Sequence, residues 1–167
     1  MKSLIASFKY AIRGIVYCIN NERNMRIHTT AAVFIIAFSF FFPLSVIEYA
    51  VLLLVISMVI GAEMINTAIE ELTDMSSSTY NPMARISKDV AAGAVFFCAV
   101  CAVVIGVIIF WKPEGFLNIY NYFSKQIYML IPLVIFALIA VLYIFIGPVG
   151  IKERVYKMLD KSKDSHI

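Results

Sequence analysis

Cysteine, glycine and charge are all scarce in this chain, and each shortage removes a class of protein. Three cysteines in 167 residues are too few for a disulfide scaffold. Seven glycines with no period exclude a collagen-like repeat. Charged residues make up 15% of the chain, against about a quarter in a typical soluble domain, which weighs against a soluble globular protein. Aromatic residues at 14% and apolar residues at 62% rule out intrinsic disorder. The formal charge of +3 is too small to argue for nucleic acid as a partner. The glycine-rich phosphate loops G-x-x-x-x-G-K-[ST] and G-x-G-x-x-G are absent too, so none of the familiar soluble nucleotide-binding motifs applies.

What is present is apolar sequence in long runs. The expected fold is an all-α integral membrane protein with four spans, roughly 28 to 45, 49 to 71, 90 to 111 and 127 to 146. The first is interrupted by Phe42-Pro43-Leu44 and begins with the polar His28-Thr29-Thr30. Before it, Leu4, Ile5, Phe8, Ala11, Ile12, Ile15, Val16 and Ile19 recur at helical spacing, with Lys2, Lys9 and Arg13 elsewhere on the wheel. That pattern predicts an amphipathic N-terminal surface helix. Because Lys9 and Arg13 break the apolar run, no cleavable signal peptide is expected.

The basic residues orient the spans. Lys2, Lys9, Arg13, Arg23 and Arg26 precede the first, Arg85 and Lys88 follow the second, Lys112 and Lys125 follow the third, and Lys152, Arg154, Lys157, Lys161 and Lys163 follow the fourth. Twelve of 14 then share one side, which the positive-inside rule makes the cytoplasm. Both termini and the 72–89 loop are expected there, and residues 113–126 form a polar external connection. Residues 1–112 form one membrane domain, and 113–167 add a fourth transmembrane helix and a basic tail, itself a candidate surface helix.

The acids carry the functional signal, since an ionisable group at the centre of a span costs about 2.5 to 3.5 kcal/mol on insertion scales. At 100° per residue, Glu63, Asn66, Glu70 and Asp74 fall within an arc of roughly 80°. Glu63 and Glu70 are separated by about 10 Å along the axis, one deep and one near the headgroups. A general base at the deep carboxylate and a metal ion at the shallow one suit a reaction between a water-soluble substrate and a lipid hydroxyl. The plainer reading of these groups is hydrogen bonding between helices. Arg85 and Lys88, beside the start of the next helix, make a candidate phosphate site, although basic flanks are more often topology anchors.

Taken together, Glu63-x-x-Asn66-x-Ala68-Ile69-Glu70-x-x-x-Asp74, then Lys88-Asp89 and Ala91-Ala92-Gly93-Ala94-Val95, resemble the signature of the prokaryotic diacylglycerol kinase and undecaprenol kinase family. Phe8-x-x-Ala11-x-x-Gly14 and Glu22-x-Asn24-x-Arg26-x-His28 fit the same pattern upstream. The resemblance covers residues 1 to about 111. It implies a three-span homotrimer with active sites shared between subunits, phosphorylating a lipid alcohol with ATP and Mg²⁺. By that resemblance Glu63 is the general base and Glu22 and Glu70 hold the metal. Tyr10, Glu22, Glu70, Asn81, Lys88 and Asp89 contact the nucleotide, and Asn66, Asp74, Asn24 and Arg26 support the site. Asn81 stands where many relatives carry histidine and Arg85 where lysine is common. The Glu22–His28 segment is like the Gram-positive-type members, which points to undecaprenol as substrate, with diacylglycerol as the alternative. From another class, a small proton- or cation-coupled transporter would also use an intramembrane Glu63, but its acids would line a path rather than gather toward one face.

Cys98-x-x-Cys101 sits in an apolar span without a second ligand pair and reads as packing. Ala94, Cys98, Ala102 and Gly106 recur every four residues, the small-residue spacing of closely approaching membrane helices. His28 reads as an edge residue and His166 as part of a free tail.

Overall fold

The structure, a computed structural model, describes residues 2–76 and 81–164, with side chains over 4–75 and 81–151. Six helices account for almost all of it: α1 (Lys2–Asn21), α2 (Arg23–Ser39), α3 (Val46–Ser76), α4 (Pro82–Phe110), α5 (Pro113–Lys125) and α6 (Leu130–Asp164), with a 3₁₀ turn at Ile127–Met129 before α6. Among the described residues there is no strand. His166 lies outside them.

Local chemistry sets most of the boundaries. Ser45 and Glu48 start α3 as a reciprocal capping box, Ser45 N–H donating to Glu48 Oε2 at 2.7 Å and Glu48 N–H to Ser45 Oγ at 3.3 Å. Asn81 caps α4 by accepting from Met83 N–H at 2.9 Å, with Pro82 as the first helical residue. Pro43 follows the end of α2, and Pro113 both closes the α4 connection and opens α5.

Among the described residues three helices are long and apolar enough to cross a membrane: Val46–Met75, Pro82–Phe110 and Ile127–Ile151. The expected first span corresponds to α2, which has only 17 residues. It packs on α3, with Tyr49 Oη donating to Ser39 O at 3.3 Å, and at the rise of an α-helix it is roughly 25 Å long. The residues from Phe40 to Ser45 are non-helical, and α2 is not among the helices long and apolar enough to cross, so the expected first span falls short of the other three. α3 and α4 form the most extensive pair, α2 packs on α3 and α6, and α1 touches α2, α3 and α6.

The 113–126 connection departs from expectation, because it is mostly helix. α5 carries Glu114 in its first turn and Lys125 in its last, as the helix dipole favours. It lies over the end of the bundle: Asn118 Nδ2 donates to Phe41 O at 2.9 Å, and Phe42 meets Phe110 and Phe116 edge-on at 4.9 and 5.3 Å.

Large apolar side chains such as Phe96, Phe97, Ile108, Leu138 and Leu142 face outward, the inverse of a soluble fold and the arrangement a bilayer demands. On α1, Leu4, Ile5, Phe8 and Ile12 are likewise uncovered, as an interfacial helix requires. The fully buried large side chains are Met25, Ser39 and Glu63. One of the deepest groups in the described structure is therefore a carboxylic acid.

Candidate active site

α3 supplies the floor of the site. Glu63 is 1% exposed, and neither of its carboxyl oxygens has a hydrogen-bond partner. One turn on, Asn66 and Thr67 are buried as well. Thr67 Oγ1 donates back to Glu63 O at 3.0 Å, while Asn66 Nδ2 donates to Glu70 Oε1 at 2.8 Å and leaves its own Oδ1 unpartnered. Asn66 thus fixes the rotamer of Glu70, and the stripe expected from helical spacing forms as one oxygen-lined face.

The joint between α1 and α2 closes the site from the side. Glu22 is the single extended residue between the two helices, with φ −99° and ψ 120°, and its backbone N–H still donates to Cys18 O at 2.8 Å. Burial pushes the Glu22 carboxyl above its ordinary range, and the charges of Glu70 and Glu71 push it the same way, against the pull of Arg26. Glu22, Glu63 and Glu70 are therefore neighbours. Cys18, buried on α1, lies against Thr67, and Tyr17 Oη donates to Glu71 Oε1 at 2.5 Å. That bond to Glu71 raises the Tyr17 phenol above its usual value. Glu71 thus makes a hydrogen bond between α3 and α1.

Toward the open end, Lys88 Nζ on α4 pairs with Asp74 Oδ1 on α3 at 2.5 Å. The remaining described ion pairs are Arg85–Asp89 at 4.0 Å and Lys112–Glu48 at 2.7 Å. None of them takes up Glu22, Glu63 or Glu70. Three acids with neither a cation nor a full set of donors form an oxygen-only, anion-rich cluster, the donor type a hard divalent cation prefers. Among the described residues no group of three or more His, Cys, Asp or Glu is close enough to cage a metal. Two carboxylates meet the need of Mg²⁺, which fills its remaining positions with water and substrate phosphate.

The other sequence candidates have local surroundings of their own. Tyr10 is exposed on α1, with Arg13 stacked 5.6 Å from its ring centroid. Asn81 is engaged as the cap of α4, Asp89 faces Arg85 on the same helix, and Asn24 is exposed in the first turn of α2. Arg26 is buried at 7% exposure, and its guanidinium donates to three backbone carbonyls rather than to a carboxylate: Ile19 O at 3.2 Å, Asn20 O at 3.0 Å and Ile144 O at 3.1 Å. Sequence reasoning missed Cys18, Thr67 and the partnership of Arg26 with α6. Cys18 and Thr67 carry no spacing signal, whereas Gly147-Pro148 is a legible helix break just past the expected end of the fourth span.

Residues 9–110 match the family model for prokaryotic diacylglycerol kinase. Over 105 residues the chain is 40% identical to a diacylglycerol kinase of Synechocystis, covering 62% of this chain and 60% of that relative. Over 104 residues it is 39% identical to an undecaprenol kinase of Bacillus subtilis, covering 62% of this chain and 85% of the relative. It is 24% identical over 112 residues to a diacylglycerol kinase of Escherichia coli K12. The match contains α2, α3, α4 and most of α1 and stops short of α5 and α6. An oxygen-lined stripe on one membrane helix, an acid at a helix joint and a family match spanning both place this chain in the prokaryotic diacylglycerol kinase family.

Proposed function

We propose that the protein is an ATP-dependent kinase of a membrane lipid alcohol, with undecaprenol as acceptor and Glu63 as general base. The observation that carries this reading is the Glu63 carboxyl, buried in a membrane helix without a hydrogen-bond partner and beside two further acids. An unsatisfied buried carboxyl costs about 1 to 3 kcal/mol or more, and such strain is kept where chemistry uses it. The lipid hydroxyl supplies the missing partner. Its proton passes to Glu63, its oxygen bonds to the γ-phosphorus of ATP, and the bond from that phosphorus to the β–γ bridging oxygen breaks to leave ADP.

Glu22 and Glu70 would hold Mg²⁺, with Asn66 orienting Glu70. When bound, the ion neutralises phosphate charge, which with positioning is most of what phosphoryl transfer requires. Lys88 and Asp74 sit at the mouth of the same face, where Lys88 meets the nucleotide as a point charge. Tyr10, Asn81 and Asp89 would complete the nucleotide contacts, with sites shared between copies in a homotrimer. Both termini and the site face the cytoplasm, as the basic residues indicate. Residues 1–112 form the kinase core, and 113–167 are an appended segment.

Undecaprenol is favoured by the likeness of the Glu22–His28 segment to Gram-positive-type members and by the 39% identity to the undecaprenol kinase of Bacillus subtilis. Diacylglycerol is the second reading, supported by the name of the Synechocystis relative. Purified protein in mixed micelles with magnesium and labelled ATP, offered both lipids side by side, decides between them. Label in undecaprenyl phosphate, lost in Glu63→Gln, is expected. Label in phosphatidic acid instead would move the substrate, and label in neither would overturn the kinase reading.

A further inference from the structure

The segment outside the family match is tied to the acid cluster by an unusual bond. In α6, Gly147 adopts φ +72° and ψ 165°, and Pro148 follows it, so the helix breaks there. Proline has no N–H, and in a regular helix that N–H would serve the carbonyl four residues earlier. That carbonyl belongs to Ile144, and Arg26 Nε donates to it at 3.1 Å. The same guanidinium, through Nη1, holds Ile19 O and Asn20 O at the end of α1. One buried arginine on α2 therefore binds the end of α1 to the break in α6.

Arg23, immediately after Glu22, is held by α6 as well. Its guanidinium carbon lies 4.6 Å from the ring centroid of Phe145, within the range of a cation–π contact. Glu22 occupies the one-residue joint between α1 and α2, so the angle of that joint decides where its carboxylate sits relative to Glu70. Gly147 leaves no slack, because a Cβ there would meet Arg26 Nη1 at 3.2 Å on a backbone conformation that side-chain-bearing residues rarely adopt.

We propose that the Gly147–Pro148 break in α6 is a positioning device for the carboxylate of Glu22, acting through Arg26 and Arg23, so that the appended helix helps build the metal-holding side of the site. The inference rests on the reading of Glu22 as a metal-holding residue. α6 then meets lipid on its outward face and braces the site through its break.

The test is Mn²⁺ binding to the full-length protein in micelles, read by electron paramagnetic resonance without ATP or lipid substrate. Gly147→Ala and Arg26→Lys should each weaken binding about tenfold, as loss of a supporting contact typically does. The double variant should bind no more weakly than the worse single one, because both act through one bond. Leu138→Ala, on the outward face of α6, should bind as wild type. Wild-type affinity in Gly147→Ala, or an additive double variant, would overturn the proposal. If Gly147→Ala does not fold, Phe145→Leu carries the test: removing the ring beneath Arg23 should weaken binding about threefold, and unchanged affinity is again fatal. Lipid phosphorylation by the wild type is measured separately. Its absence with this binding pattern intact would sink the kinase reading alone, and its presence with an indifferent Gly147→Ala would sink the positioning role alone.

Discussion

Two glutamates on the same helix are treated in opposite ways. Glu48, in the first turn of α3, accepts from Ser45 N–H and pairs with Lys112, whose Nζ also donates to Pro43 O at 3.0 Å. Glu63, 15 residues on and roughly 22 Å along the axis, is more deeply buried and has no hydrogen-bond partner. At the Glu48 end every feature closes the fold: a capping box, an ion pair, interlocked phenylalanines and α5 laid across them. At the Glu63 end, Glu22, Glu63 and Glu70 are gathered, and none of the described ion pairs includes them. The acid at one end is paired within the chain, and on the proposed reading the acid at the other meets its partner only when substrate arrives.

The strongest way to break this contrast is Glu63→Gln. Phosphoryl transfer should fall by about 10²- to 10⁴-fold, the contribution of a general base, while the melting temperature stays at or above wild type because an unpaired acid has been removed. Residual transfer above a tenth of wild type would show that the deep carboxyl is not the base.

Lys112→Met probes the other end. It strips Glu48 of a charged partner and releases α5, so the melting temperature should drop, with specific activity of the folded fraction unchanged. A loss of activity without a loss of stability would mean that the two ends are coupled in a way the contrast does not foresee.

The pH dependence sharpens it further. With its folded pKa raised, Glu22 makes a contribution to stability that is fully present below the ordinary carboxylate value and is lost as pH rises through the raised one. A cation bound between Glu22 and Glu70 offsets that loss. The rise in melting temperature on adding magnesium should therefore be small near pH 5 and grow toward pH 8, and a shift independent of pH would remove Glu22 from the metal site. The smallest expected effect is that of Asn81→Ala, which deletes the cap of α4 and should cost about 1 kcal/mol of stability, measurable as a slightly earlier thermal transition that Asn81→Ser restores.

Hydropathy located α3, α4 and the first half of α6, because long apolar runs have few other readings. It placed three of these four ends inside the helix bounds and overran the fourth by one residue: spans of roughly 49 to 71 and 90 to 111 became Val46–Ser76 and Pro82–Phe110. Apolarity marks the part of a helix that meets lipid, whereas caps mark where the helix stops. α5 was hidden for a related reason. Pro113 and Gly115 read as turn residues, yet proline is equally at home at the first position of a helix. In the site, Glu63, Asn66 and Glu70 were legible because helical spacing alone aligns them. Their nearness to Glu22 was legible only through family likeness, since no spacing rule links a joint at residue 22 to a helix 40 residues later. The bond from Arg26 to Ile144 O lay beyond both, being made to a backbone atom that any residue type would present.

That bond also has a consequence in time. Residue 144 leaves the ribosome after everything the family match covers, and chains emerge at about 5 to 20 residues per second. During synthesis Arg26 must first accept burial against the end of α1 with one carbonyl short, and it gains its third only when the last helix inserts. The joint that carries Glu22 is thus completed only once α6 has been made, so that a nascent copy whose first helices are already inserted holds its acids but not yet the brace that aims Glu22.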